Sequence, residues 1–322
     1  AKVNMIFQIS TLFFLNKKLK MLNLKIPIYF LLFLVFLSCD KNKNLNEQDF
    51  LSTQLISGVN KIFIDQNIDG KFVSRVVYIK TPVNFDQSII YPIVFVFHGA
   101  GGNARQGLNN WNLNQLIDTG EFIGVYPNGH SNNADGDSGF WNLGNEDTNA
   151  DDVEFVNLIM EELKKYSEIN INRVYAIGFS NGSGMVNLLG KRTTHFNAIA
   201  SLFSQQLITI GNINASKSLS VFQVSGEVDQ MIPLNGGKSP VGEFMSAENS
   251  ALNWVNQFNC SNNFIGESLE WGNTVLNSFT YSKCDDDHQI KYLIALETGH
   301  GWNDNQARNI SFNEIWNFFK LH

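Results

Sequence analysis

The sequence lacks the features that mark several large classes of protein. It has no long run of lysine or arginine, and its formal net charge is −7, which argues against a nucleic-acid-binding surface. It has 6 histidines but neither an H-E-x-x-H motif nor paired C-x-x-C spacings, so the usual patterns of a zinc enzyme are missing. We therefore expect no metal, no cofactor and no nucleic-acid partner.

Internal repeats and a linker to a second folded domain are also missing from the sequence. The chain has 322 residues, 43% of them hydrophobic, which is enough to bury a full core. We predict a single folded domain over residues 61–322. The interval between the predicted strands that end at Phe203 and begin at Leu219 is short, so it leaves no room for a large cap domain.

One long apolar run is present, from Ile26 to Leu37, and lysines precede it. It is too short to cross a membrane comfortably and fits the hydrophobic region of a signal peptide. The Ser38-Cys39 pair that follows resembles a bacterial lipobox, in which the cysteine is lipidated and becomes the mature N-terminus. Phe36 departs from that pattern, because Leu, Val or Ile is usual there. An ordinary cleaved signal or a short anchor is the alternative.

These features predict an exported protein, either a bacterial cell-envelope lipoprotein or a secreted one. Residues 1–38 are interpreted as upstream residues plus a lipoprotein-type signal peptide, and residues 39–60 as a polar tether. Contact with a membrane is expected only through a lipid on Cys39. Because an exported protein meets an oxidising compartment, Cys260 and Cys284 are a candidate disulfide, and two buried free thiols are the alternative.

Apolar strands alternate with helices along the rest of the chain. The continuous apolar run Tyr91 to Phe97 fits a strand buried on both faces of a parallel sheet. The segment Asp151 to Tyr166 is the clearest helix, with acidic residues at its start and lysines at its end. The alternation predicts an α/β fold with a mostly parallel central sheet and helices on both faces. The other predicted strands lie at 71–79, 122–127, 173–177, 197–203, 219–224, 275–281 and 291–296, and the other predicted helices at 111–117, 183–189, 247–258 and 311–321.

The stretch Gly178-Phe179-Ser180-Asn181-Gly182 matches the G-x-S-x-G pattern of a nucleophile elbow. It follows a predicted strand and opens a predicted helix, which is the context that such an elbow requires. The sharp turn holds its serine in strained backbone geometry with the hydroxyl above the sheet edge, and the glycines leave room for close packing. Taken alone, the motif also fits a simple glycine-punctuated turn. Together with the order of elements it predicts an α/β-hydrolase fold with Ser180 as the nucleophile.

A serine hydroxyl needs a general base to become a nucleophile, and the base needs an orienting carboxylate. In α/β-hydrolases these residues follow the serine in the order Asp or Glu, then His. Asp229 lies in an acidic turn after a predicted strand, and His300 stands between glycines on a loop after the last predicted strand. We predict Ser180, Asp229 and His300 as the catalytic triad.

Other acids and histidines are weaker candidates for these roles. Glu227 lies nearer the strand end than the predicted acid does. His288 follows the acidic run 285–287, which could bind calcium but is interpreted as a solvated turn. His195 follows two basic residues at a helix end and is expected at the surface, and His130 lies in a polar loop that could border the cleft.

A tetrahedral intermediate needs two backbone N–H donors for its oxyanion. Asn181, the residue after the nucleophile, is predicted to supply one of them. The other is predicted to come from Ala100 or Gly101, in the loop after the strand that ends at Phe97.

Three side chains near these positions are candidate substrate contacts. His98 is expected mainly to hydrogen-bond within its own loop, at the mouth of the cleft. The rings of Trp141 and Trp302 could stack on an aromatic acyl group or a sugar, although two core tryptophans would fit the sequence equally well.

Further motifs recur in a fixed order along the chain. They are His98-Gly99, Tyr126-Pro127-Asn128-Gly129, Phe140-Trp141-Asn142, Asp151-Asp152-Val153-Glu154-Phe155, Asn172-Arg173-Val174-Tyr175, the serine motif, Asp229 before Ile232-Pro233, and Gly299-His300. Together they resemble the polyhydroxybutyrate depolymerase / feruloyl esterase family of secreted α/β-hydrolases. This family is similar to carbohydrate esterase family one. The resemblance spans about residues 70 to 320 and implies Ser180 as nucleophile, Asp229 as orienting acid and His300 as base.

The resemblance has three further implications. Asp151 and Asp152 should be structural and fix the loop and helix beside the elbow. Members often pair cysteines in this region, which favours the Cys260–Cys284 disulfide. The function implied is an exported serine esterase that acts on feruloyl or acetyl esters of plant polysaccharide, as a monomer.

Two stretches depart from the family pattern and leave the substrate open. The loop after His98-Gly99 continues with Ala100-Gly101, where many depolymerases carry Cys-Thr, and Gly301-Trp302-Asn303 replaces the common Thr-Trp-Pro. The alternative function is a polyesterase or depolymerase that acts on polyhydroxyalkanoate or on an aromatic polyester such as polyethylene terephthalate. A serine peptidase and a non-catalytic surface binding module are the remaining alternatives.

Overall fold

The computed structural model describes residues 54–110, 113–132 and 138–322. The predicted signal peptide at 1–38, the predicted lipidation of Cys39 and the tether up to residue 53 lie outside these ranges. The described residues belong to one compact unit. Among them, no helix combines the length and the apolar character that a membrane crossing requires.

A ten-stranded sheet forms the centre of the fold. Its strands are β1 (Val59–Ile68), β2 (Lys71–Lys80), β3 (Tyr91–Phe97), β4 (Ile123–Pro127), β5 (Ile169–Phe179), β6 (Ala198–Leu202), β7 (Ser220–Gly226), β10 (Phe264–Trp271), β11 (Thr274–Tyr281) and β12 (Ile290–Ala295), while β8 (Gly237–Ser239) and β9 (Gly242–Phe244) form a separate hairpin. The spatial order is β1-β2-β4-β3-β5-β6-β7-β12-β11-β10. The strands from β4 to β12 in this order are parallel, so their carboxyl ends meet at one edge of the sheet.

Helices cover both faces of this sheet and create two cores. The helices are α1 (Ala104–Asn110), α2 (Asn114–Asp118), α3 (Asp152–Leu163), α4 (Asn181–Arg192), α5 (Ile208–Gly211), α6 (Ala247–Gln257) and α7 (Asn305–Phe319). Side chains of α3, α4 and α6 lie in one core, and side chains of α1, α2 and α7 lie in the other. Strand β3 serves both, because Ile93, Phe95 and Phe97 face the first core while Val94 and Val96 face the second. Both faces being buried explains why β3 is apolar throughout.

The predicted α/β-hydrolase fold, with its mostly parallel sheet and helices on both faces, is confirmed. The antiparallel pairs are confined to the two margins, where β1 and β2 lie on one side and β11 and β10 on the other. The connection between β6 and β7 contains only the short helix α5, in agreement with the predicted lack of room for a large cap there.

Some boundaries differ from the sequence predictions. Strand β1 begins at Val59, inside the segment predicted as tether, and neither β1 nor β10 was predicted. Both are edge strands with largely exposed faces, so they lack the continuous apolar character of the inner strands. A usable signal for β1 is the Asp69-Gly70 pair, whose φ values of 51° and 78° are those of a tight hairpin turn. The closing helix starts earlier than predicted, because Asp304 caps it.

Candidate active site

The serine elbow forms where β5 ends and α4 begins. Ser180 has φ 55° and ψ −118°, a conformation that a residue with a side chain adopts only under constraint. A Cβ on Gly178 would lie 2.1 Å from the Gly182 carbonyl oxygen, and a Cβ on Gly182 would lie 2.2 Å from the Phe97 carbonyl oxygen. Both glycines are therefore needed for α4 to approach the ends of β3 and β5 and to present Ser180 at the carboxyl edge of the sheet.

Three side chains from separate segments form a hydrogen-bonded chain at this edge. His300 Nε2 lies 2.8 Å from Ser180 Oγ, and His300 Nδ1 lies 2.7 Å from Asp229 Oδ2. The arrangement fits a histidine that donates from Nδ1–H to the carboxylate and accepts at Nε2 from the serine hydroxyl, as a general base must. The Asp229 side chain is buried, whereas 19% of the His300 side chain is exposed. The structure thus brings together the three residues predicted as a triad.

The loop after β7 keeps Asp229 ionised. Its Oδ1 accepts hydrogen bonds from the backbone N–H groups of Met231, at 2.8 Å, and Ile232, at 2.9 Å. Burial on its own would raise the pKa of Asp229. The hydrogen bonds from His300 and the two N–H groups outweigh burial and hold this pKa below its ordinary value. Asp229 is therefore an anion that can orient His300 and stabilise its protonated form.

The rival carboxylate, Glu227, makes a different contact. It accepts a hydrogen bond from the backbone N–H of Glu297 at 2.9 Å, which ties the acid loop to the histidine loop. The two loops also meet where Val228 N–H donates to the Thr298 carbonyl oxygen at 3.1 Å. Of the two acids considered, Asp229 is the one that faces His300.

The N–H groups predicted for the oxyanion hole differ in their availability. Gly101 N–H donates to the Gly139 carbonyl oxygen at 3.0 Å, so it is already engaged. Within the described residues, Ala100 N–H has no backbone acceptor. Asn181 is the first residue of α4, where N–H groups have no partner inside the helix. The donors that the structure leaves available to a substrate oxygen are therefore those of Ala100 and Asn181.

Trp141 and His98 are structural residues in this fold, which corrects their assignment as substrate contacts. Trp141 is completely buried and His98 is 2% exposed. The Trp141 indole N–H donates to the His98 carbonyl oxygen at 2.8 Å, and His98 Nε2 accepts from Gly129 N–H at 2.9 Å. Burial, with a smaller contribution from the positive charge of Arg75, lowers the pKa of His98 to about 4. The ring is therefore neutral, and it hydrogen-bonds to the backbone of Gly99 and Gly129.

Trp302 differs from Trp141 because part of it is exposed. Its ring packs against Phe203, with centroids 5.0 Å apart, and against Trp271, with centroids 5.6 Å apart. It lies two residues after His300, so it stays a candidate substrate contact. Phe179, which the sequence did not single out, packs on His300 with centroids 5.4 Å apart and helps to fix the imidazole plane.

A buried ion pair supports the loop beside the elbow. Arg75 on β2 lies 2.6 Å from Asp152 at the start of α3, and both side chains are almost fully buried. The other carboxylate oxygen of Asp152 accepts from Asn142 N–H at 2.7 Å, next to Trp141. Asp151 caps α3 by accepting from the N–H of Glu154. These contacts agree with the structural role that the resemblance implied for the two aspartates.

The remaining candidates lie in contacts away from the triad. His288 Nδ1 lies 2.9 Å from Ser220 Oγ, His195 Nε2 lies 2.8 Å from Asn157 Oδ1, and His130 Nδ1 lies 2.8 Å from Thr148 Oγ1. No group of three or more metal-ligating side chains occurs in the described ranges of the chain.

Cys260 and Cys284 form a disulfide, as predicted. The bond joins the segment after α6 to the segment after β11, and both cysteines are buried in the core.

Comparison with known proteins finds relatives that are named as feruloyl esterases. No protein-family model matches the chain. Feruloyl esterase B from Piromyces equi is 28% identical over 197 residues, which cover 58% of this chain and 36% of that protein. Feruloyl esterase C from Emericella nidulans is 27% identical over 249 residues, which cover 75% of this chain and 82% of that protein. The chain is thus similar to feruloyl esterases over more than half of its length.

The fold of this chain also matches solved structures. Acetyl xylan esterase from Aspergillus awamori superposes with a TM-score of 0.57 at 13% identity, over 83% of this chain and 100% of that one. At this identity the likeness concerns the fold alone. The predicted resemblance to feruloyl esterases and the predicted fold class are both confirmed. This chain spans only about a third of the length of the Piromyces equi relative.

Proposed function

We propose that this protein is a serine esterase that hydrolyses carboxylic esters through an acyl-enzyme. The observation that carries the proposal is the unbroken hydrogen-bonded chain from Asp229 through His300 to Ser180 on a strained elbow. The predicted enzyme class is a carboxylic ester hydrolase. Relatives named as feruloyl esterases and as a bifunctional acetylxylan esterase/xylanase support this class.

The proposed reaction has two halves. Ser180 Oγ attacks the ester carbonyl carbon while His300 Nε2 takes the hydroxyl proton, and the Ala100 and Asn181 N–H groups bind the oxyanion. His300 then gives the proton to the departing alcohol oxygen, and an ester of Ser180 remains. In the second half, water attacks this acyl-enzyme, His300 takes a proton from the water, and the acid leaves as Ser180 recovers its proton. Asp229 stays ionised throughout.

The proposed substrates are feruloyl or acetyl esters of plant polysaccharide. Relatives named as feruloyl esterases support this choice. The short β6–β7 connection supports it too, because a substrate attached to a polymer can approach a serine that no large insertion covers there. The partly exposed Trp302 is the candidate to stack on the aromatic acyl group or on a sugar.

A polyester is the second candidate substrate, and one observation favours it. Val228 and Met231 flank Asp229 and are 54% and 47% exposed. Aliphatic side chains beside the triad would suit the repeated apolar units of a polyester better than a hydrated polysaccharide.

A matched panel tests both candidates. Wild-type protein and Ser180→Ala would be compared on p-nitrophenyl acetate, methyl ferulate, acetylated xylan and a polyester film. We expect the substitution to abolish release of ferulate or acetate by several orders of magnitude. Serine-dependent film erosion with little ferulate release would favour the polyesterase. No serine-dependent activity on any substrate would overturn the esterase proposal in favour of a peptidase or a binding module.

We also propose that the enzyme works outside the cytoplasm, held to a membrane by a lipid on Cys39. The support is the apolar run before Ser38-Cys39 and the disulfide, since such bonds persist in oxidising compartments. Metabolic labelling with an alkyne fatty acid should mark the wild-type protein and leave Cys39→Ser unmarked. Equal labelling of both, or of neither, would overturn the lipid anchor.

A further inference from the structure

The side chain of Asn181 is held by a neighbouring loop. Its Oδ1 accepts from the Trp141 N–H at 2.8 Å, and its Nδ2 donates to the Trp141 carbonyl oxygen at 3.0 Å. These two bonds join the first residue of α4 to the backbone of a segment forty positions earlier. The same residue offers its own N–H to the substrate in the proposed mechanism, so whatever fixes the side chain also limits movement of that N–H.

Glu146 completes this attachment. Its Oε1 accepts a second hydrogen bond from Asn181 Nδ2 at 2.9 Å. Its Oε2 accepts from the N–H groups of Leu143, at 2.7 Å, and Asn145, at 3.1 Å. One carboxylate therefore closes the turn 143–146 and binds Asn181 at the same time, through bonds of the charge-assisted kind.

The same loop also reaches the other side of the oxyanion hole. The Trp141 indole donates to the His98 carbonyl oxygen at 2.8 Å, two residues before Ala100. Leu143 lies against α4, where a Cβ on Gly184 would be 2.3 Å from Leu143 Cδ1. Segment 141–146 thus touches the elements that carry both proposed donors.

We propose that Glu146 is a positioning residue that sets the oxyanion hole through the side chain of Asn181, an inference that rests on the proposed esterase mechanism. Catalysis by an oxyanion hole depends on donors that already point to the developing charge. Without Glu146 two N–H groups of the turn lose the oxygen that accepts from them, and Asn181 Nδ2 loses one of its two partners. The distance between the Asn181 and Ala100 N–H groups is then less well defined, which weakens binding of the transition state more than binding of the ester.

The first test compares Glu146→Ala with Asp147→Ala, a control in the neighbouring and exposed carboxylate. We expect Glu146→Ala to lower kcat about tenfold, less than the loss of a whole donor, with little change in KM. Asp147→Ala should keep the wild-type kcat. Burst titration with p-nitrophenyl acetate would count the active sites and the thermal midpoint would report folding, so that a merely unfolded fraction is recognised.

A second pair of variants tests the contact between the two side chains. Asn181→Asp places a carboxylate against that of Glu146 and should lower kcat. Adding Glu146→Gln restores a donor between them, so the double variant should be faster than Asn181→Asp alone, a non-additive result.

Two results would overturn the proposal. One is a Glu146→Ala enzyme with the wild-type kcat per active site. The other is a double variant, Asn181→Asp with Glu146→Gln, whose loss in kcat is simply the product of the losses of the two single variants. If wild-type protein shows no Ser180-dependent hydrolysis, the esterase mechanism itself is wrong and the inference falls with it. An active wild type with an equally active Glu146→Ala removes the inference alone.

Discussion

Among the residues that the structure describes, Arg75 and Lys191 are buried cations, and they are held in different ways. Arg75 lies 2.6 Å from the Asp152 carboxylate. It also donates to the side chain of Gln66 and to a backbone carbonyl. Lys191 is fully buried, yet among the described residues it has no ion-pair partner; its Nζ lies 2.7 Å from Asn253 Oδ1 and 3.7 Å from the centre of the Trp254 ring. Burial lowers the pKa of Lys191 to about 7.

The difference shows what each charge contributes. The ion pair of Arg75 ends at Asn142 N–H, beside the Trp141 backbone that holds Asn181. The cost of burying Arg75 is therefore offset by a pair that helps to fix the backbone beside the proposed oxyanion hole. Lys191 lies in the last turn of α4, at the opposite end from Ser180. Its charge interacts favourably with the helix dipole but supports no part of the site. We therefore interpret the buried charge of Lys191 mainly as a cost to the stability of the fold.

The largest expected effect is that of Arg75→Met. Asp152 would lose its cationic partner in a buried place where burial already raises its pKa, and breaking such a pair typically costs about 3–5 kcal/mol. Urea unfolding should show this loss. The double variant Arg75→Met with Asp152→Leu should recover part of the stability but not the activity, since the Asn142 N–H then loses its acceptor. A stable and fully active double variant would contradict the link between the ion pair and the site.

A smaller effect of opposite sign is expected for Lys191→Met. Methionine fills the same space and can contact the Trp254 ring, while Asn253 Oδ1 keeps its hydrogen bond from Gln257. Removing a buried charge that has no anionic partner should stabilise the fold by about 1 kcal/mol, or about 2–4 °C in Tm for a domain of this size. Ester hydrolysis should stay unchanged. A lower Tm would show that the contacts of the ammonium group outweigh its desolvation.

The pH dependence of stability sharpens the same comparison. The pKa of Lys191 is about 7 in the folded chain against an ordinary 10.5, so between these values the unfolded chain binds a proton that the folded chain does not. The free energy of unfolding should therefore rise with pH across this window. Below about pH 7 the lysine is charged in both states and contributes no slope. Lys191→Met should lack this rise, and an identical profile in both proteins would refute the assignment.

The smallest effect is expected for an exposed cation. Lys164 pairs with Glu161 on the surface of α3, where 42% and 67% of the two side chains are exposed. Lys164→Ala should change the free energy of unfolding by about 0.5 kcal/mol or less. A loss close to that of Arg75→Met would mean that burial does not explain the difference between the cations.

The sequence was sufficient to predict the triad because each member has a local signature. The elbow glycines, the acidic turn after β7 and the glycines around His300 are all readable within a few residues. Their meeting at one sheet edge then follows from the parallel order of the strands.

Contacts between distant segments could not be predicted in the same way. The choice of Ala100 over Gly101 depends on Gly139, which takes up the Gly101 N–H. Glu146 carries no motif, and its contact with Asn181 exists only because the loop and α4 pack together. Trp141 is a second example, since a substrate contact and a core tryptophan fitted the sequence equally well and the ring lies in the core.

Formation of the proposed acyl-enzyme can be tested most directly by measuring the mass of the intact protein during turnover of a slowly hydrolysed ester. An acyl-enzyme on Ser180 predicts a transient mass increase equal to the acyl group, located on the peptide that contains Ser180 and missing from Ser180→Ala. An adduct on another residue, or ester hydrolysis by Ser180→Ala at the wild-type rate, would contradict it.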